Sequence, residues 1–121
     1  MQTFATGTVT HVRDGDTIEV VDVAIRLDGV SAPELNERHG QAAKEFMVRF
    51  VAGMTVRCEL NGERSYDRVI GVCYLDGKDI GASIIAAGLA RDCPRFSSGR
   101  YEQFNTAASK RLPLPGYCIR R

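Results

Sequence analysis

Three short runs of β-favouring residues open the chain with almost nothing between them. Residues 6–12 alternate apolar and polar, Arg13-Asp14-Gly15-Asp16 interrupts them, residues 17–21 follow, and after Asp22 comes a third run at 23–27. Asp-Gly between β-rich segments is a strong hairpin signal. Connections this short leave no room for a crossover helix, so the three runs must form an antiparallel meander. A meander of this size is not stable alone and has to be completed by later strands or helices.

The rest of the chain supplies both. Residues 41–52 have helical spacing, with Ala42, Phe46, Phe50 and Met54 recurring near a period of 3.6 and Gly53 as the stop. Residues 55–60 read as a fourth strand with Val56, Cys58 and Leu60 on one face, and Asn61-Gly62-Glu63 reads as the turn that ends it. Residues 68–75 form a fifth strand closed by Asp76-Gly77, and residues 79–89 a second helix ended by Gly88. The segment 93–121 is richer in Pro, Gly, Ser and Arg. It has room for a third, short helix at 100–110 before Leu112-Pro113-Leu114-Pro115. The order βββ-α-ββ-α predicts an α+β, mainly β fold: a five-stranded Greek-key barrel of the OB plan with two to three helices, in one domain spanning 1–121.

At 44% hydrophobic and 26% charged, the composition suits a globular core rather than a disordered chain. No apolar run approaches the roughly 18–20 residues needed to span a bilayer, so no membrane partner is expected. Met1-Gln2-Thr3 shows no basic-then-apolar leader, a pattern that a processed chain would share. The net charge of +1 does not by itself point to a polyanion. Its distribution is uneven: residues 1–60 hold six Lys/Arg and nine Asp/Glu, residues 61–121 ten and six, so an acidic half and a basic half can meet at one cleft.

None of the four cysteines forms a C-x-x-C pair, and neither histidine lies near one, which argues against zinc. Two disulfides are possible, in three connectivities; Cys58 and Cys73 lie in strand-like runs, where a free Cys often serves as a small core residue. Cys93 and Cys118 lie in loop-like sequence and are the expected disulfide, tying down the tail. That bridge favours a secreted or periplasmic location.

Four features carry chemistry. Asp14-Gly15-Asp16-Thr17 is either a solvated hairpin turn or an oxygen-ligand site for a hard cation. Arg26 alternates against Ile25 and Leu27, so it is either a solvent-facing arginine or a rigid phosphate clamp. Ser31-x-x-Glu34 is either a helix capping box, less persuasive because helical periodicity starts only near Gln41, or it leaves Glu34 as a carboxylate that positions or deprotonates water. Arg68, after Tyr66-Asp67, is a solvated pair member or a second clamp. Together, one carboxylate for a metal, one glutamate for water and two guanidiniums are what phosphodiester hydrolysis needs.

These residues resemble the staphylococcal nuclease-like (thermonuclease) family over roughly residues 6–110. The likeness rests on Asp14-Gly15-Asp16-Thr17-Ile18, Ile25-Arg26-Leu27, Ala32-Pro33-Glu34, Tyr66-Asp67-Arg68, Asp76-Gly77 and Ala86-Ala87-Gly88-Leu89-Ala90. The resemblance implies a five-stranded OB barrel with three helices that hydrolyses DNA and RNA with Ca²⁺. It places catalytic roles on Arg26, Glu34 and Arg68, calcium on the Asp16 carboxylate and the Ala32 carbonyl, and substrate contacts on Tyr66 and Phe96. Two departures stand out. Ser31 replaces an expected aspartate ligand, so calcium should bind weakly, with Asp14 or Asp28 as substitutes. Ser65 replaces a basic residue, whose charge Arg64 can supply.

The expectation is a nuclease acting on DNA or RNA with low sequence specificity. It should work as a monomer and favour single strands, which an OB groove engages by stacking and backbone charge. The alternative is a nuclease-like OB module that binds single strands without cutting them. A third reading, a protein-binding OB scaffold, leaves the placement of Arg26, Glu34 and Arg68 unexplained.

Overall fold

The computed structural model describes residues 3–119. Met1, Gln2 and the last two residues of the expected 1–121 domain lie outside the described residues. The chain runs through β1 (Thr3–Asp14), β2 (Thr17–Val20), β3 (Val23–Leu27), β4 (Val30–Ser31), α1 (Gly40–Val51), β5 (Thr55–Ser65), β6 (Arg68–Leu75) and β7 (Lys78–Asp79). It continues through α2 (Ile80–Ala86), β8 (Arg91–Asp92), α3 (Pro94–Ser97), a 3₁₀ turn (Glu102–Phe104), α4 (Ala107–Arg111) and a last 3₁₀ turn (Gly116–Cys118). Among the described residues, no helix is long and apolar enough to cross a membrane.

The expected meander is present, and β1 is longer than its sequence pattern suggested. Beyond its pairing with β2 it runs antiparallel to β5, from Thr3↔Leu60 to Thr8↔Thr55. The first turn is tightened by the Asp14 carboxylate, which accepts the Asp16 N–H at 3.0 Å. The second turn places Val21 and Asp22 at φ 42° and 66°, the doubly left-handed geometry that suits a two-residue hairpin even without glycine. The sheet order is β3-β2-β1-β5-β6-β7, and a parallel pairing of β3 with β6 closes it into a barrel. This is the five-stranded OB plan, with β7 added as a short flap.

Apolar residues alternate inward along these strands. Val9, Val12, Ile18, Val20, Ile25, Leu27, Val56 and Leu75 are all buried, and α1 and α2 cover the same core with Ala43, Met47, Val51, Ile80, Ile84 and Ile85. The face of α1 differs from the expected one. Ala42 is exposed, and Phe46 and Phe50 pack at the margin 5.7 Å apart, while Ala43, Met47 and Val51 go inside. The small Ala43 lets the helix sit close to the barrel, and the bulky rings fit only at its edge.

Three further expectations are corrected. Residues 61–63 do not end the fourth strand: the Asn61 side chain accepts the Glu63 N–H at 2.8 Å and makes a bulge, after which β5 resumes through Ser65. The hairpin reverses at Tyr66-Asp67 instead. Cys58 and Cys73 are not free; they face each other across β5 and β6 with Cα atoms 4.0 Å apart and are disulfide-bonded. Antiparallel register brought the two core positions opposite each other, which strand-like surroundings alone do not reveal. The single helix expected at 100–110 is broken into the 3₁₀ turn and α4, because Asn105 leaves the helical region to accept the Asp92 N–H and Thr106 caps a new helix through the Ser109 N–H. The Cys93–Cys118 bridge is formed as expected.

Tyr101 anchors this C-terminal half. It is buried, and its hydroxyl donates to the Asp79 carboxylate at 2.9 Å, while Asp79 also caps α2 through the Ala82 N–H. Burial, and then the neighbouring Asp79 charge, push the phenol above its ordinary range. Tyr101→Phe should destabilise the fold by about 0.5–1.5 kcal/mol, since it removes the hydroxyl's hydrogen bond to a partly buried carboxylate that keeps the Ala82 N–H and Arg100. Urea denaturation reads this directly, and an unchanged midpoint would remove Tyr101 as the anchor.

Candidate active site

The barrel closure decides where the polar side chains go. Ile25 and Leu27 are buried, so Arg26 between them points outward. In register, Arg26 lies beside Thr17 on β2 and Ile70 on β6. Arg68 is two residues before Ile70 and therefore shares the face of Arg26. Both guanidiniums open into one cleft of about 460 Å³, lined also by Asp16, Asp28, Glu34, Glu63, Arg64, Ser65, Tyr66, Ile70, Phe96 and Tyr117. The two halves of the chain meet here.

The guanidiniums are held mainly by neutral groups. Arg68 donates from Nε to the Ser65 carbonyl (3.2 Å), from Nη1 to Thr17 Oγ1 (3.0 Å) and from Nη2 to Ser65 Oγ (2.9 Å). Among the described residues no carboxylate lies within ion-pair distance of it. Arg26 donates from Nη2 to the Val30 carbonyl at 3.2 Å and stands 3.5 Å from Asp16 Oδ2. Neutral acceptors fix Arg68 without cancelling its charge, so that cation remains available to an anion, whereas Arg26 shares its charge with Asp16 across a loose ion pair.

Glu34 sits in the loop between β4 and α1. No helix begins at Ser31, so the capping box is not used. Ser31 is buried in β4, and α1 starts at Gly40 behind His39, whose φ is 70° and whose side chain makes no cap. The loop is held by turns: the Glu37 carboxylate accepts the Glu34 N–H at 2.7 Å, and the Glu34 carbonyl accepts the Glu37 N–H at 2.9 Å. A Cβ on Gly40 would overlap the Glu34 carbonyl oxygen, so the helix can approach this loop only with glycine there. The Glu34 carboxylate is exposed toward the cleft and makes no hydrogen bond or ion pair among the described residues.

Asp16 is the buried acid of the site, 7% exposed. Its Oδ2 accepts the Ala32 N–H at 3.2 Å, and its Oδ1 accepts the Thr17 hydroxyl at 3.2 Å. Burial pushes its pKa up to about 7 from 3.8; the Arg26 charge opposes this and the neighbouring Asp14 reinforces it. Ala32 reaches Asp16 because Gly15 carries no side chain: a Cβ there would lie 2.7 Å from that of Ala32. Among the described residues, no three His, Cys, Asp or Glu side chains cluster to hold a metal. The donors present, Asp16 with Asp14 beside it, have the oxygen chemistry of a hard-cation site with few charged ligands. Asp28 lies on the same strand face and is also raised, by burial and then by Glu63.

The turn carrying Tyr66 is pinned from outside the cleft. Arg13 makes a paired bond to Asp67 (3.0 and 2.7 Å) and a third to Glu19 (2.9 Å). Tyr66 has φ 59° and is 95% exposed, its ring 5.9 Å from the Arg68 guanidinium. Arg64 and Phe96 also line the cleft. Asp16, Arg26, Asp28, Glu34, Arg64, Tyr66, Arg68 and Phe96 all line this cleft; Asp14 and Ala32 do not, and Ala32 meets Asp16 through its N–H rather than through the carbonyl expected to bind calcium. Tyr117 and Glu63 were not nominated. The bridge to Cys93 is the signal that could have found Tyr117, since it brings the residue before Cys118 toward Phe96.

The comparisons agree with this architecture. The family model described as Staphylococcal nuclease homologue matches residues 24–111. An "Uncharacterized endonuclease" of Escherichia coli is 37% identical over 105 residues, covering 83% of this chain and 63% of that protein. The "Succinoglycan biosynthesis protein ExoI" of Rhizobium meliloti is 35% identical over 102 residues, 74% of this chain and 53% of that protein. A "Probable staphylococcal-like nuclease CAN1" of Oryza sativa is 30% identical over 76 residues, 63% of this chain and 23% of that protein. The chain belongs to the staphylococcal nuclease homologue family. It spans less than two thirds of the length of these relatives.

The raised Asp16 has a pH signature. A carboxyl with a raised folded pKa favours the native state at low pH and loses that contribution as pH rises from about 3.8 through about 7. Asp16→Asn should therefore raise the thermal midpoint relative to wild type above about pH 7 without divalent cations. The difference should vanish below about pH 4. A wild type more stable than the variant at alkaline pH would show that the ion pair with Arg26 outweighs burial.

Proposed function

We propose that this chain is a nuclease that hydrolyses phosphodiester bonds of DNA or RNA with low sequence specificity. The observation that carries the reading is one cleft holding two guanidiniums, Arg68 fixed by neutral acceptors and Arg26 by the Val30 carbonyl and a loose contact with Asp16, and, in Glu34, an exposed carboxylate without a partner among the described residues. A phosphodiester entering the cleft meets Arg26 and Arg68, which hold its nonbridging oxygens and stabilise the charge that builds on them in the transition state. Glu34 orients a water for in-line attack and takes its proton. The water oxygen bonds to phosphorus, the opposite P–O bond breaks, and the departing oxygen is protonated from solvent. Tyr66, Phe96 and Arg64 flank the strand. Phosphate rather than base-edge contacts imply little sequence preference.

Asp16, with the Ala32 carbonyl, would hold a Ca²⁺ whose charge adds to that of the arginines. The shortage of carboxylates, with Ser31 where the family has an aspartate, favours weak binding. It also supports a second reading, a module that binds single strands without cutting. Two disulfides favour work in an oxidising compartment, secreted or periplasmic. A monomer is the simplest working unit, because the cleft is complete within one chain.

Digestion of single-stranded DNA in Ca²⁺, Mg²⁺ or chelator separates the two readings. Wild type should cut, faster with Ca²⁺ than with chelator. Arg26→Ala and Arg68→Ala should each lower kcat by about 100-fold or more, and Glu34→Gln should cut comparably slowly while still binding the strand. Tight binding without cleavage at any metal concentration would establish the binding module instead. Full activity in either arginine variant would remove the mechanism.

A further inference from the structure

Tyr117 comes from the tail, six residues past the end of the matched family region. It lies in the last 3₁₀ turn and is 48% exposed, yet it reaches back to line the cleft. Its hydroxyl accepts from Arg26 Nη2 at 3.4 Å, and the guanidinium carbon is 5.9 Å from its ring. The neighbouring Cys118 is fully buried and bonded to Cys93, at the start of the short helix α3 that carries Phe96. One covalent bond thus fixes two aromatic residues, Phe96 and Tyr117, on the wall of the cleft beside Arg26.

From this geometry we infer that Tyr117 is a substrate-binding residue, a stacking platform for an unpaired nucleobase next to the phosphate held by Arg26. The Cys93–Cys118 bridge keeps the platform in place. The inference rests on the nuclease reading of the cleft and adds the residue that holds the base of an unpaired strand.

The chemistry favours the ring over the hydroxyl. The contact with Arg26 is long, and Arg26 already has the Val30 carbonyl and Asp16 as partners, so the hydroxyl adds little orientation. A half-exposed ring on a cleft wall has the opposite character: beyond the Arg26 guanidinium 5.9 Å from its centre, about half of its surface stays open for a base to cover. Tyr66 and Phe96 are likewise exposed at 95% and 40%, which gives the cleft three solvent-accessible rings among three arginines. Aromatic faces interleaved with positive charge are how single strands are bound without reading sequence.

Steady-state cleavage of a short single-stranded oligodeoxynucleotide tests this, with Arg26→Ala as reference. Tyr117→Ala should raise KM roughly five- to tenfold with kcat within about twofold, and Tyr117→Phe should stay near wild type. On a strand with abasic sites flanking the cleaved bond, wild type and Tyr117→Ala should have similar KM. The Cys93→Ala/Cys118→Ala double variant, checked for folding by circular dichroism, should reproduce the Tyr117→Ala rise. Adding Tyr117→Ala to it should change KM no further, because both changes remove the same platform. An unchanged KM in Tyr117→Ala while Arg26→Ala is inactive would overturn this inference and leave the nuclease intact. Full activity of Arg26→Ala would overturn the nuclease reading itself. A fall in kcat alone in both Tyr117 variants would instead make the hydroxyl a positioning group for Arg26, and the platform would be rejected.

Discussion

One hydrogen-bonded seam, the parallel pair of β3 with β6, turns an open meander into a ring and carries both guanidiniums with it. Ile25, Arg26 and Leu27 lie beside Val69, Ile70 and Gly71. The register has no slack, because a slip of one residue would send Arg26 into the core and bring Ile25 or Leu27 out to water. Burial of those two side chains therefore fixes the direction of the arginine between them. The same argument applied along β6 puts Arg68 on that face. The chemistry of the cleft is in this sense a by-product of packing: apolar residues choose the inside, and the charged residues are aimed by exclusion.

What packing cannot aim is held by smaller devices. Gly15 leaves room for the methyls of Ala32 and Ala43, and Gly40 lets the helix start against the Glu34 carbonyl, so the two glycines set the Asp16–Ala32 contact and the Glu34 loop. Arg13 and Asp67 clamp the turn behind Tyr66 from the outside. Asp16 is the expensive component. Its carboxyl is buried beside a second acid and only loosely paired with Arg26, so its charged form is disfavoured in the fold. A residue that weakens the native state at neutral pH makes physical sense where the charge has work to do, which is the reading given to the cleft.

Most of the barrel was legible because its signals are local. Alternation, Asp-Gly turns and one clear helical period define strands and helices without reference to the rest of the chain. Local signals mislead where tertiary register decides. Cys58 and Cys73 looked like core residues, and they are, but only the β5–β6 register shows that they face each other. Asn61-Gly62-Glu63 has turn chemistry and does turn, as a bulge inside a strand that β6 keeps in the sheet. The helical face of α1 shifted because the barrel accepts Ala43 and Met47 more closely than Phe46 and Phe50. For the site, Arg26, Glu34 and Arg68 follow from their order and spacing, whereas Tyr117 follows only from carrying the expected Cys93–Cys118 bridge through to the residue beside it.

A crystal structure of the Glu34→Gln variant with a short single-stranded oligonucleotide examines the central claim at the atoms concerned. The account predicts one phosphate lying between the Arg26 and Arg68 guanidiniums, with the residue 34 side chain on its open side. A strand bound with its phosphates elsewhere on the barrel, and the two arginines still turned to Val30, Ser65 and Thr17 alone, would contradict it.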